Sequence, residues 1–189
     1  MNKKIISLLS IIAITGTLAG CGNVKAKNSV VAKNTTTSNV ESYFSRDDGK
    51  PDQQLIKVIG SSKSTLDIAI YSLTKENIVD SIIKTKNSGV NVRLITDRVE
   101  SKSKAESKQL ERLKSVGIPV KINTHKGLMH EKITIVDKST VTTGSYNYTT
   151  AATKSNDEVL VILHDSGTTQ QFESEFSRMW NDSKNFIEY

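Results

Sequence analysis

The sequence predicts an α/β fold, a mixed and mostly parallel sheet of about seven strands with helices on both faces. Short apolar runs typical of strands alternate with segments in which apolar residues recur every three or four positions. Between residues 66 and 119 the order is strand, helix, strand, helix. That order requires right-handed crossovers and therefore predicts parallel strands in this half of the domain.

The predicted strands share a run of apolar or β-branched residues bounded by turn residues. They are 40–44, 66–71, 90–96, 120–123, 129–137, 140–143 and 158–163, with the last taken as the final strand. The run at 66–71 is almost entirely apolar, which is typical of a buried central strand. The turn residues at 137–139 predict that the two strands around them form a hairpin.

The first two predicted helices are bounded by residues that favour helix ends. Pro51 begins the first helix and Gly60 ends it. Thr74 is the predicted N-cap of the second helix, and Gly89 is its C′ residue.

The later helices are less uniform. Ser101 or Ser103 caps the third helix, which Gly117 closes, and residues 147–153 form a short helical or loop segment. The last helix, 168–184, carries an apolar stripe typical of core packing. The stripe consists of Phe172, Phe176, Met179 and Trp180.

The N-terminus predicts export. Lys3 and Lys4 precede an apolar stretch over 5–19, which is short for a membrane-spanning helix. The sequence Leu18-Ala19-Gly20-Cys21 resembles a bacterial lipoprotein lipobox, and the resemblance implies cleavage before Cys21 and a lipid on its sulfur. The alternative is an ordinary secretory signal followed by an incidental cysteine.

These features divide the chain into three parts. Residues 1–20 are the predicted signal peptide, residues 21–40 the lipidated Cys21 and a flexible tether, and residues 41–189 the folded domain. The expected location is the extracytoplasmic face of the cell membrane. Cys21 is the only cysteine, so the chain has neither an internal disulfide nor a multi-cysteine metal site.

The stretch 129–137 carries the chemistry. Its alternation puts His130, Lys132 and Thr134 on one face, and on the other the side chains of Met129, Glu131, Ile133 and Ile135. An imidazole and an ammonium two residues apart suit a phosphate group, because the imidazole attacks or donates a proton while the ammonium binds the anion. Further along, Ser145 and Asn147 offer hydrogen-bond donors, and Glu158 can orient an imidazole.

His130-x-Lys132 with Asp137, followed by Gly144-Ser145-x-Asn147 and Glu158, resembles the phospholipase D superfamily. The match extends over residues 41–189 and is closest to the small single-motif branch, the bacterial endonucleases related to Nuc. The ordered set is far more specific than His-x-Lys alone.

The resemblance implies a metal-independent mechanism without a cofactor. It makes His130 the nucleophile that forms a phosphohistidine, with Lys132, Ser145 and Asn147 binding the phosphoryl oxygens. Glu158 accepts a hydrogen bond from His130. The mechanism uses two histidines, and the chain has one His-x-Lys, so a two-fold homodimer is expected to bring two copies of His130 together.

Asp137 belongs to the same catalytic signature, but its position in a turn also favours a structural role. Glu131 points away from His130, so an ion pair is expected there rather than catalysis. His130 alone would also fit a satisfied core histidine. His125 is expected to be a solvated loop residue beside the site, with substrate contact as the alternative, and His164 is expected to be structural.

The third predicted helix carries a basic set that is either a solvated face or a DNA path. The set is Lys102, Lys104, Lys108, Arg112 and Lys114, interleaved with Glu106 and Glu111. The formal charge of the chain is +6, and loss of Lys3 and Lys4 with the signal leaves +4. A modest positive charge favours a polyanion without choosing between nucleic acid and acidic lipid.

Three functions follow. The first is an exported nuclease acting on nucleic acid, DNA rather than RNA. The second is a phospholipase D or phosphatidyl transferase, which the lipid anchor favours and the lack of an apolar insertion for acyl chains disfavours. The third is a surface module that binds nucleic acid without cutting, which needs only positive charge.

Overall fold

A computed structural model of the chain describes residues 39–189. The predicted signal peptide, the predicted lipidation site at Cys21 and all but the end of the predicted tether therefore lie outside the described residues. Within 39–189 no helix combines the length and apolarity needed to cross a bilayer.

One sheet of eight strands organises the described residues. The strands are β1 (Val40–Phe44), β2 (Thr65–Ile70), β3 (Asn91–Thr96), β4 (Val120–Asn123), β5 (Lys132–Val136), β6 (Thr140–Gly144), β7 (Val159–Leu163) and β8 (Phe186–Glu188). Their order across the sheet is β1-β7-β6-β5-β2-β3-β4-β8. The α/β class and the mixed sheet are confirmed.

The prediction that the sheet is mostly parallel is wrong. Only the β2–β3 and β3–β4 pairs are parallel, and the other neighbours are antiparallel. Helical crossovers join β2, β3 and β4, whereas β5 and β6 are joined by a tight turn. In that turn Asp137 and Lys138 have φ angles of 49° and 56°, as the hairpin geometry requires.

Helices cover both faces of the sheet. They are α1 (Pro51–Gly60), α2 (Glu76–Asn87), α3 (Lys104–Ser115), α4 (Thr150–Lys154) and α5 (Ser166–Asn181), with a 3₁₀ turn at Glu100–Lys102. One buried cluster packs α1, α2 and α3 against the sheet, and a second packs α5 against the opposite face. Phe176 and Met179 lie at the centre of the second cluster, flanked by Phe172 and Trp180, so the predicted stripe is confirmed.

Three boundary predictions change. Lys75 rather than Thr74 is the N-cap of α2, and the N–H groups of both residues donate to the Tyr148 carbonyl. The last helix ends at Asn181, where the Asp182 carboxylate accepts backbone N–H groups and turns the chain. The turn leads into β8, a short edge strand paired with β4 that the sequence pattern did not indicate.

The motif strand alternates as predicted. Ile133 and Ile135 face α5, whereas Thr134 and Val136 face the other side, where the Thr134 hydroxyl lies 2.6 Å from that of Tyr148. The strand begins at Lys132, so His130 belongs to the segment just before it. His130 is therefore placed at the end of the central sheet, where it is exposed.

Candidate active site

His130 and Lys132 are in direct contact. Lys132 Nζ lies 3.1 Å from His130 Nδ1 and donates to the His130 carbonyl oxygen at 2.8 Å. A charged ammonium has only donors, so Nδ1 accepts in this pair and a neutral ring carries its proton on Nε2. The ring thus presents a proton donor on its free side.

Lys132 is buried although it is charged. Its side chain stands at the start of β5, with a residue exposure of 7%. Burial lowers the pKa of its ammonium, and the nearby Glu158 carboxylate opposes that shift. A partly desolvated cation attracts a phosphate more strongly than one in bulk water.

An open cleft of about 380 Å³ gathers most of the predicted site. Its lining residues are His130, Lys132, Gly144, Ser145, Asn147 and Glu158. They come from the ends of β5, β6 and β7, three adjacent strands. The buried Oδ1 of Asn147 has no hydrogen-bond partner within the described residues.

Gly144 allows Ser145 to reach this cleft. Its φ is +129°, and a Cβ at this position would lie 2.2 Å from the Val159 carbonyl oxygen. No side chain fits there, so β6 can approach β7 closely only with glycine. The following Ser145 N–H then donates to Val159 O at 3.1 Å, which fixes the chain beside Glu158.

Glu158 shares the cleft with His130 but does not hold it as predicted. One carboxylate oxygen accepts from the Ser145 hydroxyl at 2.5 Å, and the other accepts from the Asn156 amide at 3.0 Å. His130 Nδ1 is paired with Lys132 instead. Ser145 lies beside Glu158 because β6 and β7 are paired. The Ser145 hydroxyl is therefore hydrogen-bonded to Glu158 rather than open to a phosphate.

Asp137 lies at the opposite end of β5 from Lys132. Its carboxylate accepts the backbone N–H groups of Lys63, Ser64 and Thr65 at 2.8, 2.8 and 2.9 Å. Burial raises the pKa of Asp137, but these donors outweigh it, and the net pKa is lowered. Its assignment to the catalytic set is corrected accordingly, because the carboxylate fastens the hairpin turn to the start of β2.

Glu131 and His125 also lie near His130. The ion pair expected for Glu131 is absent from the described residues, since Arg178 pairs with Glu175 and Glu131 Oε2 is buried without a partner. Burial raises the pKa of Glu131. His125 packs edge-on against Phe186, with ring centroids 5.5 Å apart, in a small cleft that borders His130.

His164 is structural, as expected. Its Nε2 lies 2.9 Å from Glu41 Oε1, and its Nδ1 lies 3.2 Å from the Thr140 hydroxyl. These contacts join β1, β7 and β6 at the edge of the sheet, outside the cleft that His130 lines.

The basic set on α3 is partly neutralised. Lys108 pairs with Glu76 at 2.8 Å, and Arg112 pairs with Asp80. Glu106 does not belong to the solvated face, because it is fully buried and accepts hydrogen bonds from the Thr96 hydroxyl and the Leu73 N–H. Burial raises the pKa of Glu106 to about 7.

Sequence reasoning missed Tyr71 as part of the site. Its ring centroid lies 4.4 Å from that of His130, and Lys132 Nζ lies 4.9 Å from the same ring. The available signal was a single aromatic at the end of the aliphatic run 66–70. No cluster of three His, Cys, Asp or Glu side chains in residues 39–189 has an arrangement suited to a metal ion.

Comparison with known proteins identifies the domain. Residues 55–180 match the family model described as cardiolipin synthase, PLD-like domain. The chain is 28% identical over 128 residues to a mitochondrial cardiolipin hydrolase of Chlamydomonas reinhardtii, covering 68% of this chain and 56% of that one. It is 29% identical over 133 residues to a phospholipase D of Rickettsia typhi, covering 70% of this chain and 64% of that one.

A solved structure agrees with these matches. The phospholipase D family member Nuc from Salmonella typhimurium superposes with a TM-score of 0.74 at 26% identity, covering 79% of this chain and 97% of Nuc. The phospholipase D-like fold is thereby confirmed. The chain spans less than two thirds of the length of the cardiolipin hydrolases and the Rickettsia typhi phospholipase D that it matches. It belongs to the family of phospholipase D-like domains typified by cardiolipin synthase.

Proposed function

We propose that this chain is a metal-independent phosphodiesterase that acts through a phosphohistidine on His130. The observation that carries the proposal is the contact of Lys132 Nζ with His130 Nδ1 in a cleft that also holds Asn147 and Glu158. A buried ammonium beside an exposed imidazole supplies an anion site and a reacting nitrogen at one point. Membership of the phospholipase D-like family supports the same chemistry.

The reaction has two steps. A lone pair on Nε2 of one His130 attacks phosphorus, forming an N–P bond as the bond to the leaving oxygen breaks. A second histidine gives its Nε2 proton to that oxygen and then takes a proton from the water that cleaves the N–P bond. The resting state described above suits the donor role, because Nδ1 accepts from Lys132 and Nε2 carries the proton.

The attacking histidine needs the opposite tautomer. A bound phosphate draws Lys132 Nζ toward its oxygens and releases Nδ1, which then carries the ring proton. Asn147 also lines the cleft, and its Nδ2 amide group can donate a hydrogen bond to the same oxygens. Glu158 adds negative potential that favours the charged form of Lys132.

The second histidine comes from a second copy of the chain. The sequence holds one His-x-Lys, and a two-fold axis beside His130 supplies the other. The exposed position of His130 and the 49% exposure of Leu128 two residues earlier support an interface there. Co-expression of wild-type and His130→Ala chains should yield heterodimers of sharply reduced activity, and heterodimers with half the activity of the wild-type dimer would contradict a shared site.

We propose nucleic acid, and DNA before RNA, as the substrate. The resemblance of the ordered motif set to the single-motif nuclease branch and the fold similarity to Nuc support this choice. The positive formal charge favours a polyanion. The runner-up is a phospholipase D, which the names of the cardiolipin hydrolase and phospholipase D relatives favour.

The test is a nuclease assay in EDTA on fragment 39–189, which holds all eight strands and both buried clusters, with His130→Ala beside it. Cleavage of DNA by the wild type alone supports the nuclease. Release of phosphatidate from cardiolipin or phosphatidylglycerol vesicles, without DNA cleavage, supports the phospholipase. Binding of DNA that survives His130→Ala without any cleavage supports the non-catalytic module.

We also propose that the chain is exported and held at the extracytoplasmic face of the membrane through lipid on Cys21. The lipobox-like Leu18-Ala19-Gly20-Cys21 after an apolar stretch supports this location. Cys21→Ser should release the protein from the membrane fraction, and unchanged membrane retention would contradict the anchor.

A further inference from the structure

Tyr71 stands where the central strand meets the segment that carries His130. It follows the last residue of β2, and its backbone N–H donates to the Glu131 carbonyl at 2.9 Å. This bond extends the antiparallel pairing of β2 with β5 up to the residue beside His130. The backbone of Tyr71 therefore fixes the position of Glu131, and with it that of the adjacent His130, at the start of β5.

The ring of Tyr71 contacts both reacting groups. Its centroid lies 4.4 Å from the His130 ring at an angle of 54°, and Lys132 Nζ lies 4.9 Å from it. The face of an aromatic ring is negative and attracts an ammonium. One ring thus keeps Lys132 Nζ close enough to reach His130 Nδ1 at 3.1 Å.

Two glutamates, Glu100 and Glu106, accept hydrogen bonds from Tyr71 and from the backbone just after it. The Tyr71 hydroxyl donates to Glu100 at 3.3 Å, and the Leu73 N–H, two residues on, donates to buried Glu106 at 3.0 Å. Burial, followed by the charge of Glu100, raises the pKa of Tyr71. The phenol therefore stays neutral, and its ring is fastened at the backbone and at the hydroxyl.

We propose that Tyr71 is a positioning residue whose ring face holds the Lys132 ammonium in the cleft beside His130, where a phosphate would meet both groups. This inference rests on the proposed phosphodiesterase function of the cleft. Tyr71 acts through Lys132 and His130, so its loss should lower kcat while substrate affinity changes little. Since the ring favours the charged ammonium, its loss should also move the alkaline limb of the pH–rate profile to lower pH.

The direction of that pH shift follows from the groups around Lys132. Burial already lowers the pKa of Lys132, whereas the Glu158 carboxylate at the start of β7 raises it. His130 accepts from Lys132 through Nδ1 and through its carbonyl oxygen, and the Tyr71 ring adds a further favourable contact with the cation. Without the ring, desolvation is opposed less, so the ammonium loses its proton at a lower pH.

The experiment compares full-length variants on bis(p-nitrophenyl) phosphate. Tyr71→Leu and Tyr71→Met remove the ring, and Tyr71→Phe restores it without the hydroxyl. Tyr189→Leu is the matched control, because the Tyr189 ring lies 5.0 Å from Lys114 Nζ in a similar cation–π contact outside the cleft. Thermal unfolding of each variant checks that the fold is intact.

Both ring-less variants should lose about tenfold in kcat with KM within about twofold, which is the scale of one cation–π contact. Their alkaline limb should move to lower pH, Tyr71→Phe should recover most of the rate, and Tyr189→Leu should match the wild type. Wild-type kcat and an unmoved limb in both ring-less variants would overturn the proposal. So would a loss in Tyr71→Phe as deep as in Tyr71→Leu, because it would assign the effect to the hydroxyl.

The two proposals fail in different ways. A folded wild-type dimer without activity on any phosphodiester refutes the proposed function, and the Tyr71 inference falls with it. An active wild type whose ring-less variants are equally active refutes the Tyr71 inference alone.

Discussion

The two ends of β5 carry the two halves of one sequence motif and have opposite character. At the first end Lys132 is a buried cation, and His130 beside it is exposed. The nearby Asn147 has an oxygen without a partner in the described residues. At the far end Asp137 accepts three backbone N–H groups, so its hydrogen-bonding capacity is used within the fold.

This contrast between the two ends of β5 distinguishes residues proposed to act on substrate from residues that stabilise the fold around them. A polar group that binds a ligand must be accessible to it, whereas a polar group that stabilises the fold is hydrogen-bonded within the protein. We therefore expect His130, Lys132 and Asn147, which line the open cleft, to take part in the chemistry, and Asp137 to stabilise the hairpin turn.

His130→Ala should have the largest effect. Removing the proposed nucleophile should lower kcat/KM by roughly 10⁴-fold or more, as losses of covalent nucleophiles do. The fold should be unaffected, because His130 is exposed and lies outside both buried clusters. Activity assays and thermal unfolding check the two halves of the statement, and a residual rate above one per cent of wild type would contradict the assignment.

Lys132→Met should be the next most damaging. Methionine keeps an unbranched side chain, one atom shorter, in this buried position but removes the charge proposed to bind the phosphoryl oxygens. We expect a loss of about 10²-fold in kcat. Steady-state kinetics on a small phosphodiester measure it, and a variant that lost only affinity, with kcat retained, would make Lys132 a substrate anchor rather than a transition-state group.

Asp137→Ala should change stability instead of rate. It orphans the N–H groups of Lys63, Ser64 and Thr65 and should cost about 1–3 kcal/mol of unfolding free energy. Asp137→Asn should cost less, because asparagine tolerates the positive φ of 49° at this turn. Denaturant unfolding gives the free energies, and kcat of both folded variants should stay within twofold of wild type. A hundredfold loss of kcat in folded Asp137→Asn would return Asp137 to the chemistry.

The same contact makes a smaller, pH-dependent contribution. The pKa of Asp137 is lowered in the fold below its ordinary value of 3.8. Its stabilisation is therefore complete above that value and is lost as the pH falls through the lower folded pKa. The difference in unfolding free energy between wild type and Asp137→Asn should be constant near neutral pH and shrink below about pH 4. A difference that grew on acidification would contradict the contact.

Lys108→Gln should have the smallest effect. Lys108 is paired with Glu76 on an exposed face of α3, so little of its charge is available to nucleic acid. We expect KM for DNA at moderate salt to stay within about twofold of wild type, since an exposed ion pair and a single screened charge contribute little. A large rise in KM that disappears at high salt would identify α3 as a DNA path after all.

The sequence predicted the fold where local signals were strong. Proline at the start of α1, glycine after α2 and the alternation of β5 each correspond to an element in the structure. The sequence pattern did not predict strands whose pairing depends on residues far apart in the chain. The three-residue β8 has too few residues for a pattern, and its place beside β4 is set by the turn at Asp182.

The site shows the same division. His130, Lys132, Asn147 and Glu158 were gathered correctly because an ordered motif set fixes their identities. The partner of Glu158 was not predictable, since it depends on how closely β6 approaches β7 at Gly144. Tyr71 was missed because a single aromatic at a strand end carries no periodic signal.

Direct capture of the covalent intermediate tests the central claim. Wild type, His130→Ala and Asp137→Asn would be mixed with bis(p-nitrophenyl) phosphate, denatured rapidly at alkaline pH and analysed by peptide mass spectrometry. A phosphohistidine mechanism should give a p-nitrophenyl phosphoryl adduct on His130 in the wild type and in Asp137→Asn, and none in His130→Ala. Turnover without any adduct on His130, or an adduct abolished in folded Asp137→Asn, would contradict it.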